Sequence, residues 1–156
     1  MEQITIATTA DAARLVALIN RAFAIERFFV ERDRTTLDEI LAYLARGTFL
    51  VVHADAEALA ACVYLEPRGD RMYVGMLSVD PTRQGTGLGR LMMDAAERRA
   101  ADLGCRGIDI RVVNLREELP PFYRARGYVE RGEEAFEDPL ATRPAHFILM
   151  AKELAR

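Results

Sequence analysis

Hydrophobic positions change their period along this chain. Ile4 and Ile6 flank Thr5, an alternation that reads as a short strand. From Ala12 the spacing becomes helical, with Ala12, Leu15, Val16, Ile19 and Phe23 on one stripe. Thr8 followed by Asp11 supplies a capping box for that helix. Thr36-Leu37-Asp38-Glu39 opens a second helix, predicted to turn Leu37, Ile40, Leu41 and Leu44 inward and to end at Gly47. Three strand-like runs follow: Thr48 to His53, Leu59 to Glu66 and Met72 to Val79. Pro67-Arg68-Gly69-Asp70 turns the second into the third. This is the pattern of an antiparallel meander.

The second half switches to strand, helix, strand. A Gly-rich loop leads into a helix with Leu88, Leu91, Met92, Ala95 and Ala96 inward, ended by Gly104. Gly107 to Val113 reads as the next strand, so Met72–Val79 and Gly107–Val113 are expected to lie parallel across a right-handed crossover. A short helix over Pro121 to Arg126 ends at Gly127, and Tyr128 to Phe136 with Ala145 to Ala151 closes the chain as two strands. The expected fold class is α/β: a mixed central sheet of about six to seven strands with helices on both faces.

Composition narrows the class. A chain of 156 residues, about half of them apolar and 29% charged, suits one domain over residues 1–156. No run approaches the roughly 20 apolar residues of a membrane span, and the start lacks the pattern of a signal peptide, so a cytoplasmic protein is expected, with no membrane partner. Cys62 and Cys105 have no CxxC spacing, which gives no disulfide framework and no metal site. A net charge of −3 argues against nucleic acid as a partner.

The segment from Val79 to Arg90 carries the candidate chemistry. Glycines between a strand and a helix allow positive φ and close approach of backbone to a ligand. The helix start adds unpaired N–H groups and a positive dipole end. Together they make an anion cradle, with Arg83 and Arg90 beside it. The loop lacks the lysine of a P-loop, and Gly85, Gly87 and Gly89 are spaced GxGxG rather than GxGxxG.

Gln84-Gly85-Thr86-Gly87-Leu88-Gly89 resembles the acyl-CoA signature of the GNAT (GCN5-related N-acetyltransferase) superfamily, Gln/Arg-x-x-Gly-x-Gly/Ala. Leu77-Ser78-Val79-Asp80-Pro81 resembles that family's preceding strand and turn, and the order of elements matches over about residues 3 to 152. The resemblance implies a sheet whose central parallel strands splay apart. It implies acetyl-CoA as co-substrate, its pyrophosphate on the backbone from Gln84 to Gly89 and its pantetheine arm against Leu77 and Val79. An N–H near Leu77 or Ser78 would polarise the thioester carbonyl.

A second stretch carries the resemblance further. Asn114, Tyr123, Gly127 and Tyr128 resemble a strand-end Asn followed by a helix with a Tyr, then Gly and an aromatic. The family spacing from Asn to Tyr is seven; here it is nine, with Pro120 and Pro121 between. The resemblance gives Asn114 to the cofactor and makes Tyr123 the acid for the departing sulfur. A thiol near pKa 8.5 and a phenol near 10 are close enough for that role.

The attacking amine must lose a proton, yet Met72 to Val79 holds no acidic residue where many family members keep a glutamate. Glu26, Glu31, His53, Glu66 and His146 are the candidates for the base. Glu26 is preferred, because it lies between the first two helices, where the family builds its acceptor site. Phe28, Phe29 and Tyr73, with His53 and His146, are candidates for the acceptor pocket. Glu133, Glu134, Glu137 and Asp138 form an acidic stretch, expected first of all to be a solvated loop between strands and, as the alternative, a lure for a cationic amine.

The implied function is transfer of an acetyl group to an amine, on a small molecule or a peptide, by direct attack in a ternary complex. A non-catalytic acyl-CoA-binding or sensor domain of the same fold stands as the alternative. An open strand edge would let two copies pair as a homodimer.

Overall fold

The computed structural model describes residues 3–155. Its strands are β1 (Ile4–Ile6), β2 (Thr48–His53), β3 (Leu59–Arg68), β4 (Arg71–Val79), β5 (Gly107–Val113), β6 (Val129–Ala135) and β7 (His146–Glu153). Its helices are α1 (Ala12–Ala22), α2 (Leu37–Arg46), α3 (Leu88–Asp102) and α4 (Leu119–Ala125). The strands form one mixed sheet in the order β1-β2-β3-β4-β5-β7-β6, with β4 and β5 parallel and every other pair antiparallel. No helix among the described residues is long and apolar enough to cross a membrane.

Strand alternation divides the core between the two faces of the sheet. Leu50, Val52, Val63 and Leu65 face α3 and α4, where Met92, Met93, Ala96 and Tyr123 meet them. Phe49, Val51, Cys62 and Tyr64 face the opposite side, against Leu15, Leu18 and Ile19 of α1 and Ile40 of α2. Strands covered on both faces read as continuous apolar runs, which is why β2 and β3 stand out in the sequence.

Both capping boxes form, although the Thr8–Asp11 box caps a 3-10 turn over Thr9–Asp11 that leads into α1. The inward face of α2 is narrower than predicted. Ile40 is fully buried, whereas Leu37 and Leu41 are 48% and 39% exposed. This helix is short and lies against α1 and β2 at the margin of the sheet, so one line of its surface reaches the core.

Gly47 ends α2, as predicted. Its φ of −149° is extended backbone, not a left-handed cap. A Cβ there would fall 2.4 Å from the Leu65 carbonyl oxygen and 2.6 Å from the Tyr64 hydroxyl. Close approach of α2's end to β3 is what requires glycine.

The sheet opens in its middle. Parallel pairing of β4 with β5 covers Arg71–Gly107, Met72–Ile108 and Tyr73–Asp109 and then stops. At the closed end Arg71 clamps three strands: its guanidinium donates to both Asp109 oxygens at 2.9 and 3.0 Å, and to Glu153 of β7 at 3.0 Å. Gly107 leaves room for it, since a Cβ there would lie 2.6 Å from an Arg71 nitrogen. Beyond Tyr73, β4 and β5 diverge, which agrees with the splay implied by the family resemblance.

Gly47→Ala is expected to destabilise the fold by about 1–3 kcal/mol, because backbone oxygen and a packed tyrosine cannot both yield to the new methyl group. Urea unfolding of both proteins measures the shift in midpoint.

Candidate active site

The open end of the fork begins with a bulge. Between the Cys62–Ser78 and Tyr64–Gly75 pairs, β4 carries one residue more than β3. Met76 sits there at φ 52°, the one non-glycine with positive φ among the described residues. Its carbonyl is turned out of the ladder and accepts the Ser78 hydroxyl at 3.0 Å, with the Cys62 sulfur 3.6 Å away. Burial pushes the Cys62 thiol up to about 12, so it stays a neutral donor. In a trans peptide the following N–H points opposite to the carbonyl. The Leu77 N–H is therefore directed away from Ser78 and Cys62.

After β4 the chain enters the cradle. Asp80 accepts the Thr82 N–H at 2.9 Å and pairs with Arg21 of α1; these contacts, the Thr82 N–H first, hold its carboxyl below the usual range. Gly85 and Gly87 have φ of 80° and 88°, and Gly87 is the N-cap of α3. The first helical hydrogen bond of α3 runs from Leu91 N–H to the Gly87 carbonyl at 3.0 Å. The N–H groups of Leu88, Gly89 and Arg90 consequently have no partner within the helix. Arg83 and Arg90 stand beside them and make no ion pair among the described residues.

A cavity of about 390 Å³ runs along this loop. Of the residues predicted between Leu77 and Arg90 to hold a cofactor, all but Ser78 and Thr86 line it. Ser78 is buried and committed to Met76, while Thr86 is exposed, with its hydroxyl on the Arg83 carbonyl. Left-handed glycines, free helix N–H groups and two unpaired guanidiniums suit a pyrophosphate.

A second cavity, about 220 Å³, fills the gap between the diverging β4 and β5. It is lined by four of the predicted residues: Glu26, Tyr73, Leu77 and Tyr123. Phe23, Leu77, Arg116 and Leu119 border both cavities, so the two meet at the mouth of the fork. Tyr123 is buried on α4 between Phe122 and Tyr128, and its hydroxyl makes no hydrogen bond to another described residue. Burial raises its phenol to about 12, with Tyr73 adding to the rise. Glu26 lies in a 3-10 turn over Ala24–Phe28, only 8% exposed. Burial pushes its carboxyl above the usual range, opposed by Arg116 and, less strongly, by Arg34 and Arg32.

Five predicted residues lie elsewhere. Phe29 is wholly buried against Phe28 and Phe136 and is part of a small core. His53 is exposed at the end of β2 and borders neither cavity. Asn114 straps β5 to β7: its Oδ1 accepts the His146 N–H at 2.8 Å and its own N–H donates to the His146 carbonyl at 2.9 Å. His146 turns its ring toward Glu133, with Nε2 3.6 Å from the carboxylate. Asn114 thus lines neither cavity. Glu66 is taken by Tyr64, Arg46 and Arg68.

Sequence reading missed the arginines. Arg116 sits between the cavities, donating to Glu26 at 2.9 Å and to Glu118 at 3.0 Å. Arg32, Arg34 and Arg111 also line the acceptor cavity. Two carboxylates of the acidic stretch are spent on them: Asp138 accepts Arg32 at 2.6 Å and Glu134 accepts Arg111 at 2.8 Å. Half of the stretch thus neutralises arginines, and the rest is solvent-exposed, as expected of a solvated segment, although Val129–Ala135 is a strand rather than a loop.

The Acetyltransferase (GNAT) family model matches residues 14–128. The chain belongs to that family. The co-substrate of GNAT acetyltransferases is acetyl-CoA, which suits the cradle described above. The chain is 36% identical over 116 residues to a mycothiol acetyltransferase of Kineococcus radiotolerans, a match covering 68% of this chain. It spans only 37% of that relative's length. Solved structures share the fold. Ribosomal-protein-S18-alanine N-acetyltransferase from Escherichia coli superposes with a TM-score of 0.84 at 16% identity, covering 100% of this chain and 96% of that one. A structure of yncA from Salmonella typhimurium with its cofactor acetyl-CoA gives 0.78 at 17% identity, covering 100% and 95%.

The Arg116–Glu26 pair of this GNAT protein yields a pH-dependent prediction. Arg116→Met strands a buried carboxylate, which costs on the order of 3–5 kcal/mol when it is ionised. Below its unfolded pKa the carboxyl is protonated and needs no partner. Stability is lost as pH rises through the raised folded pKa, because the native state then holds more protons than the unfolded state. Urea midpoints at pH 5 and pH 8 should therefore differ more between Arg116→Met and wild type at pH 8.

Proposed function

We propose that this GNAT acetyltransferase is an N-acetyltransferase, a single domain that passes the acetyl group of acetyl-CoA to a primary amine by direct attack in a ternary complex. The observation that carries this reading is the meeting of two cavities in the fork, one ending at an anion cradle and the other containing a buried carboxylate and a buried phenol. The cradle N–H groups and Arg83 and Arg90 would hold the pyrophosphate. The unpaired edge of β4 at Leu77 and Val79 would pair with the pantetheine arm. The thioester then lies where Leu77, Phe23, Arg116 and Leu119 border both cavities.

The amine nitrogen attacks the thioester carbon, forming a C–N bond, and the C–S bond breaks. The Leu77 N–H, turned away from Ser78 and Cys62 by the bulge, donates to the carbonyl oxygen as negative charge builds on it. Glu26, ionised and held by Arg116, takes the amine proton directly or through water. Its raised pKa brings it nearer the working pH of a general base. Tyr123 faces the departing sulfur. A phenol near 12 is a weaker acid than one near 10, and the thiol has a pKa near 8.5. That gap favours a hydrogen bond to the developing thiolate over complete proton transfer.

Gly89→Glu tests the cradle. Gly89 has ordinary helical backbone, and the nearest atom to a Cβ there is Phe122 Cζ at 3.9 Å, so the fold should accept the side chain. Its carboxylate would oppose a pyrophosphate. Calorimetry is expected to show acetyl-CoA binding by the wild type and at least a tenfold weaker affinity in the variant. Wild-type protein that binds no acetyl-CoA would remove the reading.

Tyr123→Phe separates an enzyme from a sensor. Turnover, followed by free thiol release with an accepted amine, should fall at least tenfold while acetyl-CoA affinity stays nearly unchanged. Undiminished turnover would take Tyr123 out of the mechanism.

A further inference from the structure

Four guanidiniums line the acceptor cavity, and three of them are spoken for. Arg32 pairs with Asp138, Arg111 with Glu134, and Arg116 with Glu26 and Glu118. Arg34 has no carboxylate partner among the described residues. It lies instead over the Phe23 ring, 5.3 Å from the centroid, with Arg116 6.0 Å from the same centroid. Two cations against one ring repel each other, and only Arg116 touches Glu26, while Arg34 feels that carboxylate from further off.

The loop that carries Arg34 belongs to no helix or strand, yet it is pinned from both sides. Asn20 of α1 brackets Thr35: its Oδ1 accepts the Thr35 N–H at 2.9 Å and its Nδ2 donates to the Thr35 carbonyl at 3.1 Å. Arg32 donates to the Asp33 carbonyl at 2.8 Å and to the Arg34 carbonyl at 3.3 Å, while Asp138 holds Arg32 itself. None of these contacts uses the Arg34 guanidinium. A backbone fixed this firmly presents its one uncommitted cation to the cavity without much entropy left to lose.

The rest of the lining is apolar and largely aromatic: Tyr43, Tyr73, Ile110, Val112, Phe136 and Phe147. At about 220 Å³ the space is small. Three of the four guanidiniums are answered by Asp138, Glu134, Glu26 and Glu118, so the charge left over in the cavity is the positive one of Arg34, which disfavours a polycationic acceptor.

On the acetyltransferase reading above, we infer that Arg34 is the anion subsite of the acceptor cavity, and that the amine acetylated is a small one carrying a carboxylate and an apolar body, the chemistry of an apolar α-amino acid. Its amine faces Glu26 and the mouth of the fork, its carboxylate meets Arg34, and its side chain enters the aromatic wall. The guanidinium's planar fork matches a carboxylate.

The test uses the whole chain with acetyl-CoA and three matched pairs: L-leucine, L-methionine and L-phenylalanine, each against its decarboxylated amine. Free thiol release gives kcat and KM. The wild type should acetylate at least one amino acid. Arg34→Ala should raise the KM for that amino acid by about tenfold to a hundredfold, the loss of one charge-assisted contact. It should change the decarboxylated amine by less than about twofold and leave acetyl-CoA affinity intact. Comparing the two proteins cancels the difference in amine basicity within each pair. Arg34→Lys, which keeps the charge and loses the fork, should restore part of the KM. An equal loss on both members of a pair, with no rescue by lysine, would make Arg34 structural and overturn the subsite. Acetyl-CoA binding without acetylation of any of the three amino acids would also overturn it. If acetyl-CoA itself does not bind, the acetyltransferase reading fails first, and calorimetry tells the two failures apart.

Discussion

Everything in the site follows from the point at which β4 and β5 stop pairing. Three residue pairs hold the strands together, and the Arg71 clamp with Asp109 and Glu153 fixes that end. Past Tyr73 the strands part, and the sheet gains an interior opening that an unbroken ladder could not provide. β5 remains satisfied on its far edge through β7 over its whole length. The freed edge of β4 is left with backbone groups that need partners. The bulge at Met76 then rotates the peptide plane where a thioester would lie. A local failure of strand pairing thus supplies the cavity, the docking edge and the aimed N–H.

Features set by neighbouring residues were readable in the sequence. The Thr8 and Thr36 boxes, the glycines of the cradle and the apolar runs of β2 and β3 act through contacts within a few residues, so spacing reports them. The meander and crossover followed from element order. Features set by distant residues were not readable. Glu26 and Arg116 are 90 positions apart, and nothing local to either marks the pair. Asn114 was placed by analogy with a spacing this chain does not keep, and its side chain serves the β5–β7 junction. His53 and His146 border neither cavity, and Phe29 is inside a small core. Gly47 was legible as a helix stop, but its close approach to β3, which excludes a side chain, depends on residues distant in sequence.

The electrostatic pattern shows why charge along a segment is a poor guide to its role. Of the 21 basic residues, Lys152 is the single lysine. Arginine stays charged and forms forked contacts, so the fold uses it to tie loops to strands across long separations. Asp138 and Glu134 are consumed in this way. Counting charges along a segment gives no hint of which are cancelled in space, nor that three of the arginines without an ion pair among the described residues, Arg83, Arg90 and Arg34, line cavities.

Phe23, Leu77, Arg116 and Leu119 are walls of both cavities at once. A side chain that contacts two ligands cannot respond to one without changing its free energy with the other. If the proposed donor and acceptor fill these cavities, they share four walls through which each can act on the other. Linkage makes any such coupling reciprocal: whatever factor the donor imposes on acceptor affinity, the acceptor imposes on the donor. On that reading the two binding constants are to be measured together, each with the other ligand present and absent.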